Sequence, residues 1–100
     1  MVRDIELAFI KVHILYHAAK EEVFGIGLME ELGRHGYNIG PGTLYPTLFK
    51  MEELGLLTCE ARTVNQKQRK YYRITSAGRK LLIEMKNKIT ELYEEVVEGS

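Results

Sequence analysis

The chain has 100 residues, of which 45% are hydrophobic, and its 14 basic and 14 acidic residues leave no net charge at pH 7. A chain of this length forms one domain with its own core, but so much surface stays exposed that a partner subunit would stabilise it. Neutrality excludes a general attraction to nucleic acid, so DNA binding would need a local basic patch. Residues 61–83 form such a patch, with seven basic side chains and no acidic one, whereas residues 91–98 hold four glutamates and no basic residue.

The N-terminal segment has no signal-peptide pattern, because Lys11, His13 and His17 interrupt its apolar stretch and no small-residue cleavage site follows. No apolar run approaches the roughly 18 residues of a membrane span. The single cysteine, Cys59, cannot form an internal disulfide, and its alternating strand position favours a small buried hydrophobe over a redox switch. We therefore expect a cytoplasmic protein without membrane contact.

The first predicted helix runs from Asp4 to about Ala19 and carries two apolar rows. The first row has the three-and-four spacing of one helical face and comprises Ile5, Ala8, Phe9, Val12, Leu15, Tyr16 and Ala19. The second row lies nearly opposite and comprises Leu7, Ile10, Ile14 and Ala18. Because one small core cannot accept both rows, we expect Leu7, Ile10 and Ile14 to face a partner subunit.

Two shorter helices follow. Apolar residues predict a second helix that ends before Gly36, at Ile26, Leu28, Met29 and Leu32. The third helix turns Leu44, Leu48, Met51 and Leu54 inward. Thr43 is its predicted N-cap, which places Pro46 in the first turn, and Gly55 is its predicted C-terminal end.

A β-hairpin and a long helix complete the chain. The strands are predicted at Leu56–Thr63 and Lys70–Ile74 around a loop at Asn65–Gln68, with Tyr72 and Ile74 pointing to the core. Thr75 then caps a fourth helix that runs to about Val97. Its apolar seam repeats at three-four spacing, as in a coiled coil, and comprises Leu82, Met85, Ile89, Leu92 and Val96. We predict that this seam forms a dimer interface.

The order of elements predicts a mainly α protein with a small β-hairpin (α+β), a winged helix-turn-helix with a C-terminal dimerisation helix. Residues 1–75 form the DNA-binding part and residues 76–100 the dimerisation helix. The predicted DNA contacts on helix three are Thr43, Tyr45, Pro46, Thr47 and Lys50; those on the hairpin are Lys67, Arg69, Lys70 and Arg73. Since only Lys50 is basic on the helix, we expect the hairpin to supply most of the affinity through phosphates.

Three segments together resemble the PadR family of transcriptional regulators: Gly42–Pro46, Glu53–Leu57 and Arg69–Thr75, the last followed by Ala77 and Gly78. The resemblance implies a short-form regulator that binds an operator as a dimer held by helices one and four. It also implies repression of nearby genes until a small molecule or another signal releases the DNA. The apolar residues of the predicted dimer interface could enclose a small-molecule effector, or side chains could equally fill that space.

The sequence departs from the family pattern at three places. Gly40 stands where the family often has serine, which could cap an earlier start of helix three at Pro41. Residues 66–68 replace a common Gly-Arg-Pro in the wing, and Ile26 replaces the tyrosine of a Gly-Tyr pair that opens helix two.

Two histidines on the first predicted helix allow a second interpretation. His13 and His17 lie one helical turn apart, a spacing that can bind a transition metal, and Glu21 continues the row. Without cysteine ligands we interpret them as histidines beside an apolar face and predict no metal and no cofactor; a metal-sensing repressor remains an alternative.

A protein-interaction module whose hairpin docks on an acidic partner is a second alternative. No enzyme is predicted, because the chain lacks a phosphate-binding glycine loop and a recognisable catalytic constellation.

Overall fold

The computed structural model describes residues 1–99 as four helices and a three-stranded antiparallel sheet of order β1-β3-β2. In chain order the elements are α1 (Val2–Lys20), β1 (Val23–Phe24), α2 (Gly25–Arg34), α3 (Pro41–Glu53), β2 (Leu57–Val64), β3 (Lys67–Ile74) and α4 (Ser76–Val96). The α+β winged-helix class is confirmed. Strand β1 was not predicted, because its two residues are too short for an alternating pattern.

The core lies between the four helices and the sheet, and Tyr72 of β3 is buried in it as predicted. Ile10 and Ile14 are 0% exposed. The prediction that these two residues face a partner is wrong, because α1 packs against α2, β3 and α4, which together cover that row. Among the apolar side chains that α1 leaves exposed, Ile5, Phe9 and Tyr16 belong to the other row.

Helix α3 begins three residues earlier than predicted from Thr43. Gly40 is its N-cap and Pro41 its first residue, and the Leu44 amide donates to the Gly40 carbonyl at 3.0 Å. Proline suits this position because the first amides of a helix have no helical acceptor. Pro46 therefore lies inside the helix, where it cannot donate to the Gly42 carbonyl one turn earlier.

The wing, which is the hairpin of β2 and β3, is tight, and its second strand begins three residues earlier than predicted. Val64 pairs with Lys67, so only Asn65 and Gln66 form the turn, with φ angles of 51° and 66°. Two consecutive left-handed residues are the signature of a type I′ turn, whose twist matches that of the strands. Lys67 is consequently the first residue of β3 and not part of a mobile loop.

The start of α4 is fixed to the turn between α3 and β2. The predicted Thr75 cap is confirmed, since its hydroxyl accepts from the Gly78 amide at 3.0 Å and donates to the Gly55 carbonyl at 2.5 Å. The Thr75 amide also donates to the Leu56 carbonyl at 3.0 Å. A Cβ added at Gly78 would lie 2.3 Å from that same Leu56 oxygen, so only glycine permits this approach.

We expect Gly78→Ala to lower the free energy of unfolding by about 1–3 kcal/mol, because backbone has to move to accommodate the methyl group. Gly33→Ala is the matched control. Gly33 lies inside α2 with open space around it, so alanine there should raise stability by about 0.5–1 kcal/mol through helix propensity. Urea denaturation of both variants measures the difference, and equal effects would contradict the packing argument.

Candidate nucleic-acid interface

Helix α3 exposes Tyr45, Phe49 and Lys50, whereas Thr43 and Thr47 are only half exposed. The Thr47 hydroxyl donates to the Thr43 carbonyl at 2.8 Å, and an Arg3 guanidinium nitrogen of α1 lies 3.5 Å from the Thr43 hydroxyl. The predicted threonine row therefore flanks α1 and is already hydrogen-bonded. The more exposed face carries Tyr45 and, one turn later, Phe49, which the sequence analysis did not select.

Tyr45 is seated against the first turn of α2. A Cβ added at Gly25 would lie 2.3 Å from the Tyr45 hydroxyl oxygen and 2.6 Å from the adjacent ring carbon. The ring keeps 40% of its surface exposed, so it packs on α2 and still faces outward. A single sequence gives no sign of this contact, in which Gly25 is needed for close approach and not only as a helix boundary.

A groove of about 630 Å³ runs between the wing and the start of α2, with Tyr45 at its side. It brings together four of the predicted DNA-binding residues, Tyr45, Lys67, Arg69 and Lys70. Its remaining walls are formed by Phe24, Gly25, Ile26, Val64, Asn65 and Gln68. The groove therefore combines cationic side chains with aromatic surface.

Aromatic rings position the arginines on the outer face of the sheet. The Arg69 guanidinium lies 4.4 Å from the centre of the Phe24 ring, and that of Arg62 lies 4.3 Å from the centre of the Tyr71 ring. The rings of Phe24 and Tyr71 meet edge to face at 5.8 Å. Cation–π contacts keep the full arginine charge while restricting the side chain, so Arg69 is held at the groove.

Arg73 differs from Lys67, Arg69 and Lys70 because it forms an ion pair within the chain, as Arg62 on β2 also does. Its guanidinium donates to a Glu22 carboxylate oxygen at 2.8 Å, and Arg62 donates to both oxygens of Glu22 at 2.7 Å. These bonds lower the pKa of Glu22 to about 2. Arg73 also lies outside the groove, in a separate surface depression with Arg79, so the structure does not bring this predicted contact together with Lys67, Arg69 and Lys70.

Lys50 and Pro46 line another groove, on the side of α3 that faces α1, together with Lys11. The structure thus divides the predicted contacts of α3. Tyr45 faces the wing, whereas Pro46, Thr47 and Lys50 lie toward α1.

The predicted dimer seam is exposed along only part of α4. Leu82 is 6% exposed and belongs to the subunit's own core, and Met85 is half-buried. Ile89, Leu92 and Val96 are exposed. Ile89 and Leu92 line, with Phe9, Val12 and Tyr16 of α1, a largely apolar groove of about 540 Å³.

Within residues 1–99, none of the helices is both long and apolar enough to cross a membrane. The sequence model of the PadR-like family of transcriptional regulators matches residues 14–84. The chain is 48% identical over 98 residues to the transcriptional regulator Rv3488 of Mycobacterium tuberculosis, covering 98% of this chain and 92% of that protein.

Solved structures agree with this relationship. The fold matches the crystal structure of a PadR family transcriptional regulator from Eggerthella lenta with a TM-score of 0.85 at 32% identity, over 98% of this chain and 87% of that one. It matches a PadR-like transcription factor from Bacteroides fragilis with a TM-score of 0.84 at 26% identity, over 98% and 96% of the two chains. These names denote transcriptional regulators and not enzymes. The chain belongs to the PadR-like family of transcriptional regulators.

Proposed function

We propose that the protein is a sequence-specific DNA-binding repressor that binds a pseudo-palindromic operator as a homodimer. The observation that carries this proposal is the groove in which Tyr45 meets Lys67, Arg69 and Lys70. Lysine and arginine at the rim suit phosphate oxygens, and an exposed aromatic ring beside them suits contact with sugar or base edges.

The wing and α3 have different tasks in this proposal. Lys67, Arg69 and Lys70 neutralise phosphates and provide affinity. Tyr45 contacts base edges in the groove of the DNA, and Phe49 can contact thymine methyl groups there. On the flank toward α1, Thr43, Pro46, Thr47 and Lys50 are proposed to position α3 on the backbone. Arg73 is not proposed as a contact, because Glu22 neutralises it.

Dimerisation rests on apolar surface that one subunit does not cover. The second half of α4 exposes Ile89, Leu92, Tyr93 and Val96, and α1 exposes Phe9 beside them. We infer that α4 of one subunit packs on the groove between α1 and α4 of the other, which presents two reading surfaces about one helical turn of DNA apart. A small molecule bound at this interface would release the operator by favouring a subunit arrangement with another spacing.

Lys67→Ala and Arg69→Ala should each reduce the salt dependence of operator binding by about one ion, because each removes one phosphate contact. Arg73→Ala is the matched control from the same strand. Since its charge is already paired, it should leave the slope nearly unchanged, with folding verified by circular dichroism. Fluorescence anisotropy with duplex DNA across a salt series measures all three. If the salt dependence of DNA affinity is unchanged in Lys67→Ala and Arg69→Ala, the wing does not contact the DNA backbone. That result would favour docking of the wing on an acidic protein.

Tyr45→Ala should weaken specific DNA binding by about 1–3 kcal/mol and affect non-specific DNA less. Gly25→Ala should act in the same direction, because its methyl group displaces the Tyr45 ring. If Gly25 acts through Tyr45, the double variant will bind no more weakly than Tyr45→Ala alone. Additive losses would show that the two residues act independently.

Leu92→Glu should convert the dimer to a monomer, because the carboxylate would be buried in the apolar interface. Asn87→Glu on the same helix is the control, since Asn87 is exposed and lies away from the seam. Sedimentation velocity gives the molar mass of each variant. A dimeric Leu92→Glu protein would contradict the proposed interface.

A further inference from the structure

The three histidines of the chain converge at one place. His13 and His17 lie on successive turns of α1, and His35 caps the C-terminal end of α2. The ring of His35 stacks on that of His13 with centres 4.7 Å apart and lies 6.2 Å from that of His17. One ring nitrogen from each residue can be chosen so that all three lie within 4.8 Å of one another.

A carboxylate completes the cluster. One Glu31 oxygen lies 3.7 Å from Nε2 of His17 and 3.7 Å from Nε2 of His35. Both distances are too long for hydrogen bonds. The other carboxylate oxygen of Glu31 accepts from Arg34, which anchors the side chain beside the imidazoles.

His17 Nε2 is buried and has no hydrogen-bond partner within the described part of the chain. A buried polar atom without a partner destabilises a protein, and such atoms are therefore rare. Because this nitrogen points to the space shared with Glu31 and His35, a ligand in that space would satisfy it.

The lowered pKa values of His13 and His17 suit the binding of a cation. Burial and the neighbouring imidazoles lower the pKa of His13, and burial is the main cause that lowers the pKa of His17. Neutral imidazole offers the lone pair that a metal ion needs.

We propose that His13, His17 and His35, with one oxygen of Glu31, form a binding site for a divalent transition metal ion of the zinc type. Three nitrogens and a carboxylate oxygen suit zinc better than magnesium or calcium. Bonds of about 2.0–2.1 Å bring tetrahedral ligands to about 3.3 Å from one another, so small side-chain rotations would close the site.

The proposed site joins elements that are distant in sequence. It ties α1 to the segment between α2 and α3, six residues before α3 begins at Pro41. It also opens onto the apolar groove between α1 and α4. A bound ion would therefore fix the position of α1 relative to the segment that leads into α3.

The test uses the 100-residue chain without DNA, so it is independent of the proposed operator binding. Calorimetric titration with Zn²⁺ should show one ion per chain, and Co²⁺ should give the intense visible absorption of a tetrahedral site. His17→Gln and His35→Gln should each weaken zinc binding at least about 100-fold, and Glu31→Gln about 10- to 100-fold. His35 is exposed, so its variant should keep the fold, which the circular dichroism spectrum verifies.

Two control variants distinguish this site from other sources of binding. Glu21→Gln changes an exposed carboxylate at the end of α1, and Cys59→Ser removes the only thiol. Both should bind zinc as the unmodified protein does. The proposal is overturned if zinc binds more weakly than about 1 mM, if the histidine variants retain full affinity, or if Cys59→Ser abolishes binding.

Discussion

The close packing of Gly78 against the Leu56 carbonyl is the contact on which the placement of the functional elements depends. Leu56 follows the end of α3 and precedes the wing, and Gly78 lies in the first turn of α4, the helix proposed for dimerisation. Thr75 reinforces the contact with three hydrogen bonds, two of them to the same turn. One small junction thus sets the direction of α3, the base of the wing and the exit of α4.

The charge that the wing exposes depends more on which of its arginines form ion pairs than on how many basic residues it contains. The sequence shows an unbroken basic segment, but Glu22 lies before β1 and reaches two of its arginines. Glu60 pairs with Arg62 as well. The positive charge is therefore concentrated toward the tip of the hairpin, where Lys67, Arg69 and Lys70 lie beside Tyr45.

Local signals predicted much of the fold. The Thr75 cap, the C-terminal glycine of α3 and the buried Tyr72 follow from patterns a few residues long. The start of α3 needed a choice between Gly40 and Thr43, and a single sequence with two plausible caps does not make it. The two apolar rows of α1 were similar in hydrophobicity, so only the packing of the other elements decided which row became core.

The missed features of the candidate sites are contacts between distant residues. Arg73 meets Glu22 across 51 positions of the chain, and His35 meets histidines on another helix. The contact of Tyr45 with Gly25 is of the same kind, because it depends on how α2 and α3 cross. Spacing along one helix predicts neighbours on that helix, but it carries no information about neighbours on another.

The turn at Asn65 and Gln66 has a consequence for binding thermodynamics. A wing with a long loop would have to order that loop on DNA, which reduces the net free energy of association. In this protein Lys67 already lies within the paired strands, so the tip is ordered before it meets a ligand. In the proposed complex, association should then lose little conformational entropy, and a rigid wing would favour DNA whose backbone already has the matching shape.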